Sequence, residues 1–333
     1  MMSSPELSAA IERWPIAGGF AISRGTKTEA VVVVAEVSLE TPAGRRRGRG
    51  ECTPYGRYGE TPDTTLAAIL AMREAIAAGL TRHQLQTAMP PGAARNALDC
   101  ALLDLEAKIA GRRAWDLLGR PPPDQRTTAF TISLGTPDAM AEAAARAAHR
   151  PLLKVKLGGA GDPERIAAVR WAAPAAELTV DANEAWDDAT LEHHLARCAE
   201  AGVTLVEQPL PAGRDEALGR IRRVVPVCAD ESVHARGSLA ALRGRYDAVN
   251  IKLDKTGGVT EALAMADEAQ ALGFELMVGC MVATSLAMAP AMLVARAARV
   301  IDLDGPLLLA RDRDDGLRYE GSTVYPPDAS LWG

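Results

Sequence analysis

The sequence predicts an α/β protein, a parallel barrel of repeated strand–helix units preceded by a segment of antiparallel sheet and helices. Two observations carry this reading. From residue 126 onward, short apolar runs alternate with Ala/Leu-rich stretches. Eight runs read as strands, near 128–134, 152–157, 177–182, 203–207, 226–230, 248–253, 274–279 and 299–302, with helical stretches between them. Charged residues also close these runs at even steps. From Lys156 the steps are 25, 26, 23 and 22 residues to Asp181, Glu207, Asp230 and Lys252, then 50 to Asp302. Charges at C-terminal strand ends read as a site, because the loops at that face of a barrel hold the chemistry. An open doubly wound sheet is the alternative, but no GxGxxG follows a strand. Gly158, Gly159 and Gly161 lack the Lys-Ser/Thr of a phosphate loop and read as a turn.

The N-terminal elements differ in style. Residues 16–40 read as strand, ending in AVVVVAEVSLE and interrupted by SRGTKT at 23–28. RRRGRG at 45–50 reads as a charged hairpin turn before a further strand, in preference to a basic ligand patch. The turn-rich stretch 51–60 offers Tyr55, Arg57 and Tyr58 for recognition. A Thr-Pro pair at 61–62 signals a helix start, and Leu98, Ala101, Leu102, Leu105 and Ile109 recur at helical spacing. The proline run 121–123 marks a boundary, so the expected division is 1–122, a barrel over 123–305, and a tail 306–333 returning to the first part.

Composition excludes several classes. A chain of 333 residues with 48% apolar content supports a large core, and a net charge of −6 argues against nucleic acid or an anionic membrane as partner. Five cysteines without a CxxC fit a reduced, cytoplasmic compartment. Neither a signal pattern nor a run of 18 apolar residues is present, so the expectation is a soluble protein. The composition is compatible with a homo-oligomer without deciding the point.

The strand ends suggest the chemistry. Lys154 and Lys156 lie two residues apart in LLKVKL, so both project to one face of a strand. Desolvating two ammonium groups is costly unless something anionic receives them. Asp181, Glu207 and Asp230 end three neighbouring strands, and three converging carboxylates repel one another unless a cation intervenes. All-oxygen ligands select a hard ion such as Mg²⁺. Lys156 ends the second barrel strand and Lys252 the sixth, which places them on opposite sides of the mouth. Lys255 is a rival for Lys252, but it begins a Gly-Gly turn rather than lying in the run AVNIKL. Two opposed amines beside a metal can address both faces of one carbon. The carbon acid expected is one α to a carboxylate, whose enediolate needs the metal and the added charge of Lys154. A lysine serves as base only if its pKa is lowered, which a neighbouring cation does. Asp302 and Asp304 form a DxD pair at the last strand, suited to a second metal or, preferably, to a substrate ammonium.

These motifs resemble the enolase superfamily, muconate-lactonising subgroup, whose chemistry is a Lys or His base with Mg²⁺. The resemblance covers nearly the whole chain through ALDCALLDLEAK (97–108), KVK, VDAN, EQP, ADES, NIKLDKTGG and MVATS (281–285). It implies a TIM-like (β/α)₇β barrel with an α+β capping domain built from both termini. Within the subgroup the chain is most similar to dipeptide epimerases of the L-Ala-D/L-Glu type. That implies a dipeptide substrate, one Mg²⁺ held by Asp181, Glu207 and Asp230, and Lys156 and Lys252 as acid/base pair assisted by Lys154. It further implies Asp302 and Asp304 on the dipeptide's ammonium, Arg24 on the glutamate carboxylate, and a role in peptidoglycan recycling. There are departures: Ala283 stands where relatives often carry Glu, and no His lies near strand seven. The rival readings are an o-succinylbenzoate synthase or muconate cycloisomerase on the same site, and a non-catalytic binding barrel.

Overall fold

In the computed structural model, which describes residues 4–333, the chain opens with an antiparallel sheet of β1 (Glu6–Ile22), β2 (Gly25–Thr41) and β3 (Gly44–Cys52), with β2 in the centre. β1 starts earlier than the apolar pattern from residue 16 suggests. Its first half pairs with β2 from Glu6↔Ser38 onward, while one face stays in solvent and so reads as polar. RRRGRG is not a hairpin turn, contrary to the sequence expectation. It is the body of β3, and the turn lies at residues 42–43. Arg45, Arg47 and Arg49 meet carboxylates of Glu6, Glu36 and Asp315 respectively, while the intervening glycines face the helix Ala93–Ala110. A Cβ on Gly48 or Gly50 would lie 2.1 Å from the carbonyl oxygen of Ala101 or Ala97. The alternation therefore records a helix backbone laid directly on a strand. Thr61 caps the helix Pro62–Leu70, and Thr81 caps Arg82–Ala88, each through a reciprocal capping box.

After a short strand β4 (Arg126–Thr127) come eight parallel strands in chain order. They are β5 (Phe130–Ile132), β6 (Leu152–Lys156), β7 (Glu177–Asp181), β8 (Val203–Glu207), β9 (Val227–Ala229), β10 (Ala248–Ile251), β11 (Glu275–Gly279) and β12 (Val300–Asp302). The ring closes where the Ala129 N–H donates to the Ile301 carbonyl at 2.7 Å. Helices cover most connections, but β8 and β9 are joined through one 3₁₀ turn, Glu216–Gly219, where the expected helix is absent. Pro209, Pro211, Gly213 and Pro226 crowd that stretch and leave no room for a run of i→i−4 bonds.

The floor of the barrel is an apolar plug of Ala129, Leu152, Leu205, Cys228, Ala248, Met277 and Val300. Because strand side chains alternate, Leu152, Lys154 and Lys156 form one inward column on β6, so that charge stands directly above grease. A larger core fills the space between strands and helices. The last elements, β13 (Tyr319–Glu320) and β14 (Thr323–Val324), pair with each other, and β14 pairs with β4. The tail reaches the helix Ala93–Ala110, with the Trp332 indole N–H on the Cys100 carbonyl at 3.1 Å and the Gly333 N–H on Asp104 at 2.7 Å. Among the described residues no helix is long and apolar enough to cross a membrane.

Gly50→Val must push the Ala93–Ala110 helix off β3 and is expected to destabilise the fold by about 3 kcal/mol or more. Denaturant unfolding measures this, and an unchanged midpoint would refute the close-approach account.

Candidate active site

The mouth of the barrel is an apolar-walled cavity of about 430 Å³, a size suited to a small ligand. Lys156, Asp230, Lys252, Asp302, Asp304 and Arg24 all line it. Asp181, Glu207 and Lys154 lie immediately beneath, fully or almost fully buried. Register explains the convergence: Lys156 pairs with Asp181 across β6–β7, Asp181 with Glu207 across β7–β8, and Gly279 with Asp302 across β11–β12. Lys156 on β6 and Lys252 just past β10 have three strands between them either way round the eight-stranded ring and face each other across it.

Lys154 is the hub of the lower layer. Its ammonium lies 2.6 Å from Glu207, 2.7 Å from Asp302 and 3.5 Å from Asp181. Burial pulls its pKa down, but these carboxylates outweigh burial and hold it well above the ordinary lysine value. Lys156 donates to Asp181 at 2.6 Å, and Lys252 donates to Asp230 at 2.6 Å. Burial opposes the charge on Lys252 as well, yet Asp230 and Glu207 hold its pKa well above the usual range. The lowered value expected of a base is thus not what this arrangement gives Lys252; its partner Asp230 is the cause. Lys255 does show a lowered pKa, chiefly through burial, but it is spent on the Asp230 and Asn250 carbonyls at 2.6 and 3.0 Å.

Asp181, Glu207 and Asp230 come from adjacent strands and offer oxygen alone. Burial, then the charge of Asp181, pushes the Glu207 carboxyl up to about 7. That pressure between like charges is what a hard divalent ion relieves, so the donor set fits Mg²⁺. Each of the three carboxyls is paired with a lysine: Glu207 with Lys154, Asp181 with Lys156 and Asp230 with Lys252, each at 2.6 Å.

On the far side of the mouth, Asp304 accepts the Thr131 N–H at 2.7 Å, and burial followed by the neighbouring Asp302 pushes its carboxyl up to about 7. Asp302 gives one oxygen to Lys154, while its Oδ1 is buried without a hydrogen-bond partner. Arg24, at the tip of the β1–β2 hairpin, reaches over the mouth. It donates to Glu231 at 2.6 Å, to Tyr55 at 2.8 and 3.0 Å, to the Asn183 carbonyl at 3.0 Å and to Glu184 at 3.4 Å.

Comparison with known proteins follows the same lines. Residues 5–119 match the mandelate racemase/muconate lactonizing enzyme N-terminal domain, and residues 138–330 match the enolase C-terminal domain-like model. The chain belongs to the enolase superfamily. It is 48% identical to an L-Ala-D/L-Glu epimerase of Escherichia coli K12, over 94% of this chain and 97% of that protein. It is 44% identical to an N-acetyl-D-glutamate racemase of Pseudoalteromonas, over 86% and 91% of the two chains. An enolase-family structure from Agrobacterium tumefaciens, with bound sodium and L-Ala-L-Glu, superposes with a TM-score of 0.96 at 56% identity, covering 99% of this chain and 100% of that one.

Sequence reasoning missed three wall residues, Asn183, Glu231 and Lys27. Asn183 and Glu231 stood inside the quoted VDAN and ADES motifs, one or two positions past the assigned carboxylate. Asn183 has a left-handed backbone (φ 44°), which turns its N–H back onto Asp181 at 2.9 Å. An asparagine two residues past a strand end was the available signal, since that residue type tolerates the conformation.

Lys154→Met leaves buried carboxylates without their counter-ion, and is expected to destabilise the protein by about 3–5 kcal/mol. Chemical denaturation tests this; an unaltered stability would show that the lower layer does not depend on Lys154.

Proposed function

We propose that this enzyme is a Mg²⁺-dependent dipeptide epimerase of the L-Ala-D/L-Glu type, which inverts the α-carbon of the C-terminal residue. The observation that carries the reading is a pair of lysines on opposite walls of one cavity, with a carboxylate cluster on one side and an acid pair on the other. Asp181, Glu207 and Asp230 would hold the ion, and Asn183 steadies Asp181. A divalent ion held there would supply positive charge to stabilise the enediolate oxygens.

The chain's own residues do the rest. One lysine removes the α-proton from its face, and the other delivers a proton to the opposite face, so the centre inverts. Which of Lys156 and Lys252 begins as the proton donor depends on the direction of the reaction. Lys154 adds fixed positive charge under the reacting carboxylate. Asp302, with its unpartnered oxygen, and Asp304 take the substrate ammonium at the wall across from the metal side. Cap residues Phe20, Ile22 and Tyr58 line the mouth beside the two lysines.

That acid pair also separates the alternatives. An o-succinylbenzoate synthase or a muconate cycloisomerase handles substrates without an amine, and an N-acyl amino acid likewise presents no ammonium. We further read the chain as a cap (1–122), a barrel (123–305) and a returning segment (306–333). Peptidoglycan recycling in the cytoplasm would supply such dipeptides, and five free cysteines are in keeping with a reducing compartment.

Incubation of L-Ala-L-Glu with the enzyme and Mg²⁺ in D₂O is expected to give L-Ala-D-Glu carrying deuterium at the glutamate α-carbon. A chelator should stop exchange and Mg²⁺ restore it. Absence of exchange with every dipeptide tried would contradict the reading.

A further inference from the structure

Lys255, the rival of Lys252 in the sequence, has a different task in the fold. It is 1% exposed and is not among the residues that line the cavity, so it cannot reach a substrate. Its ammonium has three acceptors instead: the Asp230 carbonyl at 2.6 Å, the Asp230 carboxylate through Oδ1, and the Asn250 carbonyl at 3.0 Å. Three acceptors satisfy the three N–H groups of an ammonium. Two of them belong to one residue, Asp230, that the metal site needs.

Asp230 needs such support because of where it stands. Pairing of β9 with β10 runs to Ala229, so that ladder does not fix the next residue. Gln208 holds its main chain: the side-chain Oε1 accepts the N–H of Asp230 at 2.9 Å and that of Ser232 at 3.0 Å. Gln208 directly follows Glu207 and has a left-handed backbone (φ 36°). Its amide donates to the Leu210 carbonyl at 2.8 Å and to the hydroxyls of Ser232 and Tyr246 at 2.9 and 3.0 Å. That clamp sets the backbone of Asp230 but not its side chain. The carboxyl is caught between two lysines: Oδ2 accepts from Lys252, which lines the cavity, and Oδ1 from Lys255, which does not.

Both lysines come from one piece of chain. Lys252 precedes the helical turn Leu253–Thr256 and Lys255 lies within it, and the main-chain N–H of Lys255 donates to the Lys252 carbonyl at 3.0 Å. The bonds from Lys255 to Asp230 therefore fix a carboxylate of the metal site and an acid/base lysine with respect to each other.

We propose that Lys255 is a positioning residue, which sets the side chain of Asp230 from behind and so prepares one oxygen donor of the metal site and its spacing from Lys252. The proposal rests on the metal-dependent epimerase reading and deepens it. Charge alone predicts the opposite effect, since an ammonium beside a cation site repels the cation. The sign of the change in metal affinity separates the two.

The test measures Mn²⁺ binding to the substrate-free enzyme, by the electron paramagnetic resonance of unbound Mn²⁺, in the native protein, Lys255→Met and Lys255→Gln. It is run alongside the Mg²⁺ dependence of L-Ala-L-Glu epimerisation. Lys255→Met is expected to weaken Mn²⁺ binding by roughly 10–100-fold, the range for groups that orient metal ligands. The Mg²⁺ concentration for half-activation should rise by a similar factor, with kcat at saturating Mg²⁺ falling less. Lys255→Gln keeps a donor for one of the oxygens and should lose less of both. Mn²⁺ binding in Lys255→Met as tight as in the native enzyme, or tighter, overturns the assignment while the epimerase reading stands. If Lys255→Met does not fold, the same criterion applies to Lys255→Gln; failure of both to fold overturns the assignment as well, because the role is then structural. A native enzyme that binds no Mn²⁺ overturns the metal site itself, and the proposal with it.

Discussion

A charged layer standing on an apolar floor is the constraint from which the rest of this molecule follows. The inward column of β6 passes from Leu152 in the plug to Lys154 and Lys156 within one strand. An ammonium at the position of Lys154 cannot be carried there without anions, because desolvation costs far more than the fold could otherwise supply. Carboxylates at the ends of β7, β8 and β12 answer it, and each is placed by parallel register rather than by loop conformation. The mutual repulsion of those carboxylates in turn calls for a further cation. The barrel thus folds with a carboxylate cluster suited to receiving a divalent cation.

The cap is held to this layer by buried polar seams that have their own logic. Glu51, at the end of β3, accepts the Thr284 N–H at 2.8 Å and pairs with Arg313 at 2.7 Å. Asp254, directly after the Lys252 strand end, accepts the Thr53 N–H at 3.0 Å and the Asn96 amide at 2.8 Å. Both seams adjoin the cap loop that carries Tyr55 and Tyr58. The cap loop and the barrel strand ends are therefore joined through buried polar contacts.

Much of this was legible in the chain itself. The eight barrel strands could be read because buried parallel strands are short apolar runs, and the charges that end them break the pattern at the one face where breaks are tolerated. β3 could not be read correctly, because alternating Gly and Arg looks like a turn unless the helix lying on Gly48 and Gly50 is known. The first half of β1 was hidden by its solvent-facing side, and the missing helix between β8 and β9 by an apolar stretch whose prolines were the overlooked signal. Side-chain engagement was beyond sequence altogether. Nothing in SRGTKT shows that Arg24 meets Tyr55, Asn183, Glu184 and Glu231.

The claim on which the account stands is that the two amines serve opposite faces of one carbon. The direct measurement is single-epimer exchange in D₂O by Lys156→Ala and Lys252→Ala, each given L-Ala-L-Glu and L-Ala-D-Glu separately. Epimerisation should fall in both variants by roughly 10²–10⁴-fold. Each should still exchange the α-proton of one epimer, and the retained epimer should differ between the two. Loss of exchange on the same epimer, or on both, in the two variants would contradict the opposed-lysine geometry as the source of inversion.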